Sequence, residues 1–339
     1  MITRRTAICS LAGVLVCRQG RAQASLESVK LAINPSVYAY LPLYVAIDKG
    51  YFRANGIEVL ISKYTGSATT QLPLLARGDL DFSPVVGSAA LFNQFEQGFN
   101  IKLVTALIGV RKGWHDSTWI LCRKALWDTG VMKNATDMKG KRVDGGPEGS
   151  PIMFLTSQAL RTGQLSTADV TYSQKFRGPS DFLGAFRNNA VDVLGAPEPL
   201  AAQLEAEGLA HRWLSASDFA PWFQETFLAA NPDFLVKRPD AAKRFIKGYL
   251  SGARDVLEAG PRWTAEMLTI TSTWSGLKHD VLTRIPGPVF PGEGGRIDQD
   301  SLVRQQRFWL EQGKVKSLLP VSAMVDTTHL DAAAAELRS

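Results

Sequence analysis

The stretch VKLAINPSVYAYLPLYVAIDKGYFRANGIEVLI, residues 29–61, carries the reading of the fold. Val29-Lys30-Leu31-Ala32-Ile33 alternates like a strand and is ended by the turn residues Asn34-Pro35-Ser36. Leu43 to Asp48 places apolar residues at helical spacing before Gly50, and Ile57 to Ile61 is a second strand. Downstream, Gly66-Ser67-Ala68-Thr69 opens a helix through about Ala76, and Leu80-Asp81-Phe82 leads into a third strand. Ser88 caps a helix to about Gln97, and Ile101 to Leu107 is a strand. Such regular alternation predicts an α/β domain with a largely parallel sheet.

A second unit restarts the pattern at Trp119 to Cys122. Arg142-Val143-Asp144, Val170 to Tyr172 and Val191 to Leu194 read as strands; Ser150 to Arg161 and Phe182 to Asn188 read as helices. Ala196-Pro197-Glu198-Pro199 opens another helix, its prolines suited to a first turn. The remainder is predominantly helical: Ala241 to Glu258, Trp263 to Thr273, Gln299 to Gln312 and Leu330 to Leu337. Two α/β lobes with a helical tail is the economical summary.

The N-terminus has its own logic. Arg4 and Arg5 precede an apolar run from Ala7 to Val16, and Ala22-Gln23-Ala24 offers small residues around a cleavage point after Ala24. That order predicts a secretory signal over residues 1–24, too short in its apolar part for a membrane anchor. Thr3-Arg4-Arg5 hints at twin-arginine export, although Ala7 stands where that pattern prefers a large apolar residue. Removal deletes Arg4, Arg5, Arg18 and Arg21 and no acid, so the formal charge falls from +6 to +6 − 4 = +2. The basic balance therefore gives no reason to expect nucleic acid. Cys9 and Cys17 leave with the signal, and Cys122 alone remains, so no internal disulfide is expected.

Open α/β sheets bind ligands at the carboxyl ends of their strands. Three junctions there, Gly66-Ser67-Ala68-Thr69, Gly87-Ser88-Ala89 and Gly149-Ser150, place glycine and hydroxyl residues where helices begin. Each suits two roles, an ordinary N-cap or a cradle of backbone N–H groups for a polar or anionic ligand. Tyr38 and Tyr40 could line a pocket as flat walls with polar tips, whereas Tyr44 is expected to pack inward. Glu198 could accept from a ligand N–H, bridge the lobes, or complement a helix dipole. No catalytic apparatus assembles: His115, His211, His279 and His329 lack metal-ligand spacing, and no nucleophile elbow, Walker loop or dinucleotide fingerprint is present. No enzyme activity, metal or cofactor is expected.

Leu41-Pro42-Leu43-Tyr44-Val45-Ala46, then Asp48-Lys49-Gly50-Tyr51-Phe52 and Asn55-Gly56-Ile57-Glu58-Val59, resemble the N-terminal signature of the nitrate/sulfonate/taurine solute-binding proteins, the NitT/TauT family, which is similar to the thiamine-pyrimidine-precursor binders. Gly78-Asp79-Leu80-Asp81-Phe82, Asn189-Ala190-Val191-Asp192-Val193 and Glu198-Pro199 extend the likeness. The resemblance implies a type II periplasmic-binding fold: a first lobe over 25–110, a second over 111–210, and 211–339 returning to the first. Crossings would fall near Gly109 to Lys112 and Leu209 to Arg212. Carried over by position, the site comprises the loop Asn34 to Tyr40, Gly66, Ser67, Thr69, Gly87, Ser88, Ala89, Gly149, Ser150 and Glu198. The implied role is a monomeric periplasmic component of an ABC importer that delivers a small organic anion to a permease and its ATPase. A heteroaromatic solute such as a thiamine pyrimidine precursor is the alternative. A pyrimidine-synthase-like enzyme is disfavoured, because the cysteine-rich motif of that family is absent.

Overall fold

The computed structural model describes residues 26–176 and 178–338; the predicted leader lies outside them. Among the described residues ten strands form two five-stranded sheets. The first contains β1 (Glu27–Ile33), β2 (Ile57–Lys63), β3 (Phe82–Val86), β4 (Lys102–Gly109) and β10 (Gln224–Ala230), in the order β2-β1-β3-β10-β4. The second contains β5 (Thr118–Arg123), β6 (Arg142–Asp144), β7 (Thr171–Ser173), β8 (Val193–Pro197) and β9 (Ala210–Ser215), in the order β7-β6-β8-β5-β9. Among the described residues no helix is long and apolar enough to cross a membrane.

Both sheets are mixed. β10 runs antiparallel to β3 and β4, and β5 runs antiparallel to β8 and β9. Each of these strands is the first that the chain contributes after arriving from the other lobe. It enters at the hinge, where the other strands of its sheet end, and so must run against them. This is the departure from the largely parallel sheet expected above.

The crossings occupy 110–117 and 216–223. The second differs from the expected Leu209 to Arg212, because those residues lead into β9, where His211 pairs with Cys122 and Ser215 with Trp119. β9 and β10 both lie in sequence read as helical or as linker. In β10 five consecutive residues, Thr226 to Ala230, are buried, so no alternation marks it as a strand. The helix expected to open at Ala196 begins instead at Leu200, because β8 continues to Pro197, and a cis peptide joins Glu198 to Pro199.

The helical tail builds onto the first lobe. The helix Pro239–Ala259 is amphipathic, burying Phe245, Ile246, Tyr249, Ala253 and Val256 against the helix Leu41–Asp48 and the sheet behind it. Gly252 permits that approach: a Cβ there would lie 2.3 Å from the Pro42 carbonyl oxygen. Tyr44, on the helix Leu41–Asp48, is fully buried and donates its hydroxyl to Val37 O at 3.0 Å, in keeping with its inward reading.

An aromatic cluster joins the lobes beside the crossings. Phe154, on the second-lobe helix Pro151–Thr162, lies 4.9 Å from Phe223 and 5.0 Å from Phe308 between ring centroids. Trp222 and Phe223 thus pack between lobes and leave the cleft to other residues.

Candidate functional site

A cavity of about 680 Å³ lies between the lobes, at the carboxyl ends of β1, β3 and β8 and the entrances of β5 and β10. The 3-10 turn Tyr38–Tyr40 follows β1 and supplies two tyrosines to its wall, with Tyr64 beside them. Ile152, Pro179, Pro199 and Leu200 face them from the second lobe. Ser117, Thr118, Glu225 and Thr226 close the hinge end. A smaller cavity of about 360 Å³ adjoins it, sharing Ser67, Val86, Ser150 and Pro151.

The predicted site residues divide between the two spaces. Asn34, Tyr38, Tyr40, Gly66, Ser67, Ser150 and Glu198 line the larger, while Ser67, Thr69, Ser88, Ala89, Gly149 and Ser150 line the smaller. Gly87 lines neither, since it packs against Gln305, where a Cβ would sit 1.9 Å from Oε1.

Their polar atoms are largely engaged within the protein. Ser67, Ser88 and Ser150 accept from the N–H groups of Thr69, Leu91 and Met153, so each junction serves as an N-cap. The Ala89 N–H donates to Gly149 O at 3.0 Å, bringing two junctions of opposite lobes together. Arg161 and Glu311 add an ion pair at 2.5 Å between the second-lobe helix and the helix Gln299–Glu311. Asn34 donates to Gly66 O at 2.9 Å and accepts from the Ser36 hydroxyl at 2.7 Å, which staples the tyrosine loop in place.

The two cavity carboxylates differ. Glu198 is saturated: Oε1 meets His115 Nε2 at 3.0 Å and Arg212 Nη2 at 2.7 Å, and Oε2 accepts from Ala202 N at 2.9 Å. These bonds make Glu198 a brace that joins the first crossing, β9 and the first turn of the helix Leu200–Ala206. Glu225, by contrast, has hydroxyl partners, Ser117 and Thr118, in place of cations. Burial pushes its carboxyl up to about 7; the two hydroxyls pull it down and the neighbouring Asp116 adds to the rise. The Tyr38 hydroxyl is buried without a hydrogen-bond partner, and burial followed by Glu198 and Glu225 raises its pKa well above the ordinary value.

Sequence reasoning missed Ser117, Glu225 and Thr226, because Ser117 ends the first crossing and the other two open β10, and only the sheet topology reveals where those segments meet. Cys122 is fully buried in β5, and burial pushes its thiol up to about 12, the opposite of what a nucleophile needs. His211 stacks on Trp127 with ring centroids 4.2 Å apart, and no group of three or more metal-ligating side chains assembles among the described residues.

Comparison with known proteins places this geometry. The periplasmic aliphatic sulphonate binding protein SsuA of Escherichia coli superposes with a TM-score of 0.67 at 16% identity, covering 89% of this chain and 92% of that one. The periplasmic nitrate-binding protein NrtA of Synechocystis PCC 6803 gives 0.68 at 16% identity, covering 92% and 89%. These likenesses assign the periplasmic-binding-protein fold that the motifs implied. In sequence, YtlA of Bacillus subtilis, designated a binding protein, is 25% identical over 237 residues, 68% of this chain and 66% of its own length. The riboflavin-binding protein RibY of Chloroflexus aurantiacus is 22% identical over 239 residues, 70% of this chain and 64% of its own length. The match thus spans somewhat less than two thirds of either relative. Residues 38–260 fit the family described as NMT1/THI5 like, and with well over half of its length so matched, the chain belongs to that family.

Proposed function

We propose that this protein is the solute-binding component of an ABC importer, exported with loss of its first 24 residues, and that its solute is a flat heteroaromatic molecule. Two lobes joined by two crossings form a hinged clamp, and a solute touching both stabilises the closed arrangement by its differential affinity. The permease and its ATPase would receive the solute from that closed form. No covalent step is needed.

The observation that carries the choice of solute is the lining of the larger cavity. Three tyrosines face proline, isoleucine and leucine side chains, and the described lining includes two carboxylates and no lysine or arginine. Its volume lies within the ordinary range for organic ligands. A small organic anion, the first expectation from sequence, finds no countercharge there, and Lys314 in the smaller cavity is already paired with Glu148. The hydroxyl-lined smaller cavity suits a polar substituent on the ring. The riboflavin-binding relative supports a heteroaromatic solute, while the sulphonate and nitrate binders support the fold alone.

Thermal unfolding of the protein lacking residues 1–24, with pyrimidines, flavins, sulfonates and nitrate each in excess, tests the reading. A heteroaromatic binder should raise the midpoint by mass action. An upward shift with taurine or nitrate, and none with any ring compound, would overturn it.

A further inference from the structure

Glu225 stands at the meeting of the two crossings, on the second residue of β10, and lines the larger cavity. Its carboxylate is hydrogen-bonded to Ser117, the residue immediately before β5, so one side chain links the entrance strands of both lobes. Glu198 is met by the Arg212 guanidinium, the His115 ring and a backbone N–H of the protein, whereas the partners of Glu225 are hydroxyls. An ionised carboxylate held out of water without a cation is unfavourable, and something in the closed state must compensate or the group stays protonated.

The titratable groups facing it sharpen the point. Asp116 on the first crossing and Tyr38 and Tyr40 on the loop after β1 interact with Glu225, and none is a cation. The Arg212 guanidinium and the His115 ring, which lie in the same cluster, are held by Glu198. The unpartnered Tyr38 hydroxyl on the same cavity wall is a second polar group left for a solute to satisfy.

Resting on the aromatic-solute reading above, we infer that Glu225 selects the charge of the solute, taking a ring whose edge bears an amidinium-type or otherwise cationic N–H group. The carboxylate accepts two N–H bonds from such an edge, with Tyr38 at hand for a ring acceptor, while the tyrosine walls hold the faces. Binding of a cation requires the ionised carboxylate, so affinity rises with pH through the neutral range as the proton on Glu225 is released. A carboxyl that merely ties the two crossings together would show neither charge preference nor this dependence.

Calorimetric titration with benzamidine, benzamide and benzoate, which share a ring and differ in charge, distinguishes these roles. At pH 8 benzamidine should bind about tenfold or more tightly than the other two, in line with a charge-assisted contact. At pH 5.5, where benzamidine is still a cation, its affinity should fall about tenfold. Glu225→Gln should erase both the preference and the pH dependence, and the wild-type pH series stands alone if that variant fails to fold. Equal binding of benzamide or benzoate, or a preference that survives Glu225→Gln, overturns the inference. Binding of none of the three, with flavins and pyrimidines also inert, overturns the aromatic-solute reading beneath it; binding of flavins or pyrimidines alone, unchanged by Glu225→Gln or pH, overturns only the role of Glu225.

Discussion

The two lobes repeat one backbone arrangement and fill it with different charges. In each, an aspartate stands just before the central strand, Asp81 before β3 and Asp192 before β8. Its N–H donates to the carbonyl of the neighbouring parallel strand, Lys30 at 3.0 Å or Arg142 at 2.9 Å. Its own carbonyl accepts from the residue ending the antiparallel strand or just past it, Asn231 at 3.0 Å or Arg123 at 2.8 Å. The side chain completes the pattern by accepting from Lys30 N at 2.7 Å in the first lobe and from Arg142 N at 3.0 Å in the second. The repeated Asp81 and Asp192 motifs are therefore structural clips.

What differs is the company. Asn231 in the first lobe turns its amide to Leu75 O, and Asp81 has no guanidinium within bonding distance among the described residues; burial therefore raises its pKa against the pull of the Lys30 N–H and the more distant Arg238. In the second lobe Arg142 Nη2 and Arg123 Nη2 reach Asp192 Oδ1 at 2.7 and 2.5 Å. Burial pushes Asp192 up as well, but the bonds from Arg142 and the charge of Arg123 outweigh it and hold the carboxyl below its ordinary value. The same fold position thus carries an acid that resists its charge in one lobe and one that depends on it in the other.

The largest effect that could break this contrast is Asp192→Asn, which leaves two guanidinium groups without their carboxylate. Denaturant unfolding should show a loss of about 2–3 kcal/mol at pH 7, below the full value for a buried pair because Arg142 is partly exposed. As its folded pKa is depressed, that contribution is present at neutral pH and lost as pH falls below 3.8 and through the folded value. An unchanged unfolding midpoint would show that the arginines find other partners.

Next in size is the hinge acid. Glu225 has its folded pKa raised from 4.5 to about 7, so the native state keeps a proton that the unfolded chain releases, and stability declines as pH rises across that window. Glu225→Gln should stabilise the empty protein by about 2 kcal/mol at pH 8 and by much less at pH 5. A destabilised variant at pH 8 would mean that the Ser117 bond to the ionised carboxylate outweighs its desolvation. Smallest is Asp81→Asn: the amide oxygen can still accept from Lys30 N, and the midpoint should move by less than about 1 kcal/mol. A loss as large as that of Asp192→Asn would erase the contrast between the lobes.

Much of this was legible in advance, for identifiable reasons. The first three strands and their helices read correctly because Gly50, Gly66, Gly78 and Ser88 punctuate short elements with clear periodicity. Tyr38 and Tyr40 reach the cavity wall because a loop leaving a strand's carboxyl end has little room to go elsewhere. Gly87 was assigned to the site on spacing, yet it meets Gln305, more than 200 positions away, which no local pattern reveals.

By itself, then, the order of residues determined the α/β alternation and the serine caps, since each depends on neighbours within a turn or a strand; the paired aspartate clips, whose partners Lys30 and Arg142 lie 51 and 50 positions away, needed the sheets to form. Only the tertiary structure decided that Glu198 is saturated while Glu225 is not. Whether a carboxylate has a cation depends on which distant segments cross at the hinge, and Arg212 reaches Glu198 but not Glu225 because β9 ends in the second lobe before the chain returns.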